Sequence, residues 1–325
     1  MNGMKLLCGS AVAIGLLWAC GERSGDSSHS APVSQHMLAA PSHELWVDPE
    51  SAAANDARTL RESDPEAYRR IQYIADQPMA HWLGGWSGDV EQTVRRLAGQ
   101  ATGKILTLVL YNIPHRDCGS HSAGGTLASE YRQWVESIVS GLGSQKALLI
   151  VEPDAVAQLD CLAPAGQSER LTLLQDAVKI LKKAPGARVY LDAGHPAWHP
   201  ADVMAERLLQ AGAMAADGFA LNVSNFQTLE SNISYGRTIR SRLTGKTFVI
   251  DTSRNGRGPD PEGVWCNPRS RALGRTPTLQ TDTEGVDAFL WVKRPGESDG
   301  SCNGGPGAGQ WWREIALDMA QGAGI

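Results

Sequence analysis

Four aspartates, Asp117, Asp154, Asp192 and Asp299, follow different apolar runs of the chain yet carry chemistry that belongs together. Carboxyl groups brought into one cleft cannot all ionise freely. One of them has its pKa raised and becomes a proton donor near neutral pH. One protonated and one ionised carboxyl group in the same cleft are what hydrolysis of a glycosidic bond requires. Any one of the four also fits a helix cap or a turn residue, so the argument rests on whether the fold gathers them.

The elements that must do so are readable. Ala147 to Val151 is an unbroken apolar run ending in Glu152-Pro153-Asp154. Apolar residues without polar alternation indicate a strand covered on both faces, as in a parallel sheet or barrel. Pro153 ends it and is expected to push Glu152 toward extended geometry, leaving Asp154 on a stiffened bend just past the strand. Asp154 before Ala-Val-Ala also fits a helix N-cap.

Strands are expected over 79–83, 104–111, 146–151, 188–191, 218–221, 247–250 and 287–292. Helices are expected near 51–61, 65–75, 88–101, 128–140, 168–183, 200–212, 227–243 and 310–319. Regular alternation of this kind predicts an α/β fold, a parallel sheet with helices outside, closing by right-handed connections into a barrel. Residues 251–286 are too irregular for a crossover helix, and loops of that length are usually functional.

After the strands come Trp82 and Trp86; Tyr111, Arg116 and Asp117; Glu152 and Asp154; Asp192 and His195; Asn222 and Asn225; Asp251 and Arg254; then Trp291, Lys293, Glu297 and Asp299. In a barrel these strand ends share one rim, where they converge on one cleft.

Composition narrows the class. The 325 residues have a formal net charge of −5 with both signs interspersed, so no basic footprint for nucleic acid is present. Ten tryptophans beside four phenylalanines suggest flat amphipathic surfaces of the kind that stack on sugars.

Residues 1–20, with Lys5, an apolar stretch and Leu17-Trp18-Ala19-Cys20, have the layout of a secretory signal. The ending resembles a bacterial lipobox, which marks Cys20 for lipidation and the chain for export to the cell envelope or beyond. Residues 21–41 read as a flexible tether and 42–325 as the domain proper.

Of six cysteines, Cys8 and Cys20 belong to the leader. Cys118, Cys161, Cys266 and Cys302 remain, enough for two disulfides in any of three connectivities. No C-x-x-C pair suggests zinc. The His195 and His199 pair is flanked by Pro196 and Pro200, which disfavour the helix needed to aim both rings at one ion. No Gly-Lys-Ser/Thr phosphate loop or Gly-x-Ser-x-Gly elbow occurs, and no cofactor is expected.

These residues carry a resemblance. The segments Leu110-Tyr-Asn-Ile-Pro-His-Arg-Asp-Cys118, Val151-Glu-Pro-Asp154, Val189-Tyr-Leu-Asp-Ala-Gly-His195 with Trp198, Leu221-Asn-Val-Ser-Asn225, Asp251-Thr-Ser-Arg-Asn-Gly256, Trp265-Cys-Asn267 and Trp291-Val-Lys-Arg-Pro-Gly-Glu-Ser-Asp299 occur in this order. Over roughly residues 43–325 the chain resembles glycoside hydrolase family 6, the inverting cellulases.

The resemblance implies a distorted seven-stranded (β/α) barrel, similar to a TIM barrel, with its active site at the C-terminal strand ends. Asp154 would be the general acid. Asp117, held near Arg116, would raise the pKa of Asp154 and help to order the attacking water. Tyr111 would press on a distorted sugar ring, and Asp192 would stabilise developing positive charge. Asp299 would be the base, acting directly or through a water chain.

Lys293, Glu297, Trp46, Trp198 and Trp265 would bind glucosyl units, with His195, Asn225 and Arg254 as further contacts. The implied disulfides are Cys118 with Cys161 and Cys266 with Cys302; the first would contribute about 4 kcal/mol in the chain-entropy model. His115 and Arg269-Ser270 depart from the family pattern without removing a proton donor.

Short segments from Asp154 to Cys161 and from Asp299 to Cys302 leave little chain to roof a tunnel. The expected function is therefore internal cutting of β-1,4-glucan by a monomer. Exo action, or a surface-anchored glucan binder with little catalysis, are the alternatives.

Overall fold

A computed structural model describes residues 44–325. The leader, Cys20 and the tether lie outside the described residues. Seven parallel strands, β1 (His81–Leu83), β2 (Leu106–Leu110), β3 (Ala147–Val151), β4 (Ala187–Asp192), β5 (Gly218–Leu221), β6 (Thr247–Asp251) and β7 (Val286–Leu290), lie side by side in sequence order.

The apolar runs are continuous because both faces are covered. Leu148 and Ile150 of β3 point inward with Val109, Tyr190, Val249 and Leu290. Ala147, Leu149 and Val151 point outward into a core shared with helices α3 (Val90–Gln100), α4 (Ala128–Leu142), α5 (Pro164–Leu181), α6 (Ala201–Gln210) and α7 (Leu229–Arg242). The last core is built by α1 (Ala52–Leu60), α2 (Pro65–Ala75) and α8 (Arg313–Gly322) around Ile71, Ile74, Trp291 and Met319. Asp56 of α1 ties this group together by accepting from Trp311 Nε1 at 2.9 Å and from Arg313.

The expected strands and helices are present with shifted ends. The helix expected from 168 begins at Pro164, since proline at the first helical position lacks only an N–H that has no intrahelical partner anyway. The last helix runs three residues later than expected, Arg313–Gly322. Residues 252–285 form no helix or ladder strand, as expected.

Closure is incomplete. Strand β1 pairs with β2 only from His81 opposite Leu108. On the other side a single parallel bridge joins Met79 to Trp291, with Ala80 N donating to Trp291 O at 3.0 Å. The barrel is thus a curled sheet pinched at one seam, consistent with the distorted form expected.

Below β1, Glu44 to Trp46 fills the vacant ladder position: Leu45 bridges Ile105 in parallel, and Trp46 N donates to Ile105 O at 2.9 Å. This corrects one expectation. Trp46 lies beside the entry end of β2, 8% exposed, in the core with Ala101 and Leu106. The catalytic rim is at the other end of that strand, so Trp46 packs the barrel and does not stack on substrate there.

Candidate active site

The strand-end carboxylates do gather at one rim, and their hydrogen bonds divide them by task. Glu152, fully buried, directly follows β3. Its Oε2 accepts from Asn112 N at 2.9 Å and Ile113 N at 3.0 Å, and its Oε1 from Tyr131 Oη at 2.9 Å. It therefore holds the segment that follows Tyr111. Burial pushes its carboxyl up to about 7, against the pull of those donors.

The extended geometry expected for Glu152 is not what the chain adopts. Its φ is +50°, and that of Asp154 is +71°. Steric bias before proline is a preference on the order of 1–3 kcal/mol, and the buried donors that converge on Glu152 outweigh it. Arg170 of α5 completes the brace, donating to His115 O at 2.7 Å and Pro114 O at 3.1 Å.

Asp154 is half-buried, in the turn just past the C-terminal end of β3. Its own N–H donates to Asp192 Oδ2 at 2.9 Å, and Gly194 N donates to the same oxygen at 3.1 Å. Asp192 Oδ1 is buried with no partner among the described residues. Both carboxyls are pushed up, Asp154 by burial and then by the charges of Asp192 and Asp117, Asp192 by burial opposed by its two N–H donors. The pair titrates as a unit. Donors favour the charged form of Asp192, so the shared proton sits on Asp154.

Asp117 accepts from Ser122 N at 2.6 Å and Gln158 Nε2 at 3.4 Å. Arg116 does not hold it. The guanidinium donates instead to the carbonyls of Ser122 at 2.7 Å and Tyr111 at 2.9 Å, because the tight loop turns those oxygens inward. Tyr111 stands edge-on to Trp82, with centroids 5.3 Å apart, and burial together with the charges of Asp154 and Asp117 keeps its phenol protonated.

Asp299 is a different kind of carboxylate. Arg254 Nη1 lies 2.9 Å from both of its oxygens, Asn267 N at 3.0 Å and Lys293 Nζ at 3.6 Å. Burial works to raise its pKa, but Arg254 and Lys293 outweigh it and hold the carboxyl below the usual range. It stays ionised and is a weak base by itself. Lys293, buried, also donates to Ser298 O at 3.0 Å. Glu297 pairs with Arg294 at 3.2 Å.

Trp198 and His195 share the turn after β4, with ring centroids 5.4 Å apart. His195 is neutral, its pKa lowered to about 4 by burial and His199. Asn225 Oδ1 is used locally by Phe226 N at 2.8 Å. Trp265 is 52% exposed, beside His121. Trp291 is fully buried, donating to Arg275 O, and serves packing. Arg269 rests on Trp312 and near Asp318.

The two disulfides are Cys118–Cys161 and Cys266–Cys302, tying the loop after β2 to that after β3, and the loop after β6 to that after β7. His121, Cys266 and Cys302 lie close together, but both sulfurs are spent in the second bridge and hold no metal.

Residues that escaped the sequence reading are braces: Tyr131, Arg170, Ser122 and Gln158. Asp251, named among the strand-end candidates, is a brace as well. Buried at the end of β6, it accepts from Lys293 N at 2.9 Å, Ser224 N at 3.0 Å, Ser253 N at 3.0 Å and Val292 N at 3.3 Å. Its signal in the sequence is the same as that of a catalytic aspartate, a carboxylate ending an apolar run.

Known proteins are similar to this chain in sequence and fold. Endoglucanase A of Cellulomonas fimi is 48% identical over 288 residues, 87% of this chain and 62% of its own length. Endoglucanase 1 of Streptomyces halstedii is 42% identical, over 86% of this chain and 88% of its own. The chain thus spans less than two thirds of the C. fimi protein. Endoglucanase Cel6 of Mycobacterium tuberculosis, solved in complex with methyl-cellobiosyl-4-deoxy-4-thio-β-D-cellobioside, superposes with a TM-score of 0.83 at 45% identity, covering 89% of this chain and 99% of that one. With residues 40–323 matched by the model for "Glycosyl hydrolases family 6" and the carboxylates of that fold gathered on one rim, the chain belongs to glycosyl hydrolases family 6.

Proposed function

We propose that this protein hydrolyses internal β-1,4-glucosidic bonds of cellulose or related β-glucans with inversion at the anomeric carbon. The observation that carries the reading is the division of charge between Asp154 and Asp299. One is kept protonated by burial beside Asp192 and Asp117, the other ionised by Arg254 and Lys293. Asp154 gives its proton to the glycosidic oxygen as the C–O bond breaks. A water ordered near Asp117 attacks the anomeric carbon from the opposite face, and its proton leaves toward Asp299. Asp192 faces the positive charge that develops on the ring, and Tyr111 presses on that ring.

Internal cutting is supported by the short segments around the disulfides and by the endoglucanase names of the relatives. The N-terminal layout, with two disulfides in the domain, supports export to an oxidising compartment with Cys20 as a lipid anchor. No described helix is long and apolar enough to cross a membrane. We take residues 42–325 as one catalytic domain acting as a monomer, with Trp198, Trp265, His195, Asn225, Lys293, Glu297 and Arg254 along the glucan path.

The test is carboxymethyl cellulose, followed by reducing ends and by viscosity. Wild type is expected to lower viscosity early, and Asp154→Ala to lose at least ~100-fold in rate. Equal rates would reject the acid, inactivity of both would favour the binder, and cellobiose release with little fall in viscosity would reject internal cutting.

A further inference from the structure

His199 stands out in the sequence through its spacing from His195, yet no step of the reaction uses it. Its Nε2 lies 2.8 Å from Ala157 O, and a carbonyl oxygen only accepts, so the imidazole carries its proton on that nitrogen and donates. Ala157 stands three residues past Asp154, in the turn that Gln158 N closes on Asp154 O at 2.8 Å. The same Ala157 carbonyl accepts from Arg207 Nη1 of α6 at 3.0 Å, and Arg207 Nη2 reaches both oxygens of Asp160 at 2.8 and 2.7 Å. The turn that carries the acid is thus tied by two donors from the segments that follow β4.

The same imidazole lies against Trp198. The two rings are nearly parallel, 12° apart with centroids at 6.1 Å, an offset stack. Tyr235 Oη fixes the backbone here by donating to His199 O at 2.9 Å. A Cβ on Gly194 would fall 3.2 Å from the indole and 3.4 Å from the Cβ of Ala157, so Trp198 and Ala157 meet over one glycine. Strand order gives Trp198 its side of the bond: Tyr111 follows β2, Asp154 follows β3 and Trp198 follows β4. With Tyr111 at the ring under attack and Asp154 at the bond that breaks, Trp198 belongs to the leaving part of the chain.

We infer that His199 is a positioning residue that, together with Arg207, ties the indole under the leaving glucosyl units to the turn that carries the acid. The inference rests on the β-glucanase reading and adds to it a residue that acts only through Trp198 and that turn. A sugar oxygen is a poor leaving group and departs only as it receives a proton, so its placement against the acid decides the rate. A leaving group that needs no proton and brings no glucosyl unit to Trp198 is indifferent to the tie.

The experiment measures wild type, His199→Ala, His199→Gln, Trp198→Ala and the His199→Ala, Trp198→Ala double variant on cellohexaose and on 2,4-dinitrophenyl β-cellotrioside. For His199→Ala, kcat on cellohexaose should fall roughly tenfold, while release of dinitrophenolate stays within about twofold of wild type, which also shows that the site is folded. His199→Gln, whose amide can donate to Ala157 O, should recover most of the loss. In the Trp198→Ala background the loss from His199→Ala should shrink to about twofold, because the two side chains act as one unit. Equal losses on both substrates overturn the inference and make His199 a general brace. Unchanged turnover of cellohexaose overturns it, and so does a full tenfold loss in the Trp198→Ala background. A wild type inactive on cellohexaose would instead sink the β-glucanase reading.

Discussion

Asp192→Asn removes one charge and little else, which makes it the sharpest probe of the proton on Asp154. Asparagine has a carbonyl oxygen that can still accept from Asp154 N and Gly194 N, now 2.9 and 3.1 Å from Asp192 Oδ2, so the bend that carries the acid is kept. The lost term is electrostatic. Asp192 Oδ2 touches the backbone of Asp154, which places the two carboxyls on the order of 6 Å apart; at an effective dielectric of ~20 a unit charge there is worth ~2.8 kcal/mol, or ~2 pH units.

The sign follows from the charge. An anion nearby holds the proton on Asp154, so its removal lets the proton leave at lower pH. The alkaline limb of kcat/KM should therefore move down by ~2 units; the variant should be inactive near neutrality and regain activity as pH falls, to a level below wild type because the charge that faces the ring is gone. A soluble cello-oligosaccharide assayed from acid to alkaline pH reads this directly. If the limb moves by less than ~0.5 unit or moves upward, Asp192 does not hold the proton on Asp154 and the assignment within the pair is wrong.

Two further perturbations separate bracing from chemistry. Glu152→Ala leaves two backbone N–H groups and the Tyr131 hydroxyl without their buried acceptor. Urea unfolding should show a loss of ~3–6 kcal/mol, with Glu152→Gln, which keeps one acceptor, losing less than half as much. Arg254→Met leaves Asp299 with only Asn267 N and Lys293, which should cost ~3 kcal/mol at pH 7. Because the folded-state pKa of Asp299 is depressed, that stability is present above the ordinary carboxylate pKa and is lost as pH falls through the lowered value. The stability difference between wild type and variant should accordingly shrink in strong acid; a constant difference across pH would assign the loss to packing.

The strands and the shared rim were legible because burial on both faces leaves an unbroken apolar run, and β3 and β5 match their expected extent within a residue. Three things were not. Trp46 reads the same as a sugar platform or a core residue, and only the vacancy below β1 decides it. Arg116 stands beside Asp117 in the chain, yet adjacency says nothing about which carbonyls a folded loop turns inward. For Glu152, the pre-proline rule describes local sterics, whereas the donors that set its backbone come from residues 112, 113 and 131.

The deeper ambiguity is that one sequence signal, a carboxylate ending an apolar strand, serves two opposite purposes. A parallel barrel leaves unpaired backbone N–H groups where its loops depart, and these are too buried for water to satisfy. Glu152 and Asp251 answer that need: their oxygens are occupied by neighbouring loops, and such a carboxylate has nothing left to offer a substrate. Asp192 is intermediate, with one oxygen spent on the Asp154 and Gly194 amides and the other unpartnered. Asp154 is held through its backbone, leaving its carboxyl to the cleft. The general acid is therefore set by which strand-end carboxylate the loops leave unsatisfied. A new internal donor on the free oxygen of Asp192 should favour its ionised form and hold the proton on Asp154 more firmly, moving the alkaline limb up where Asp192→Asn moves it down.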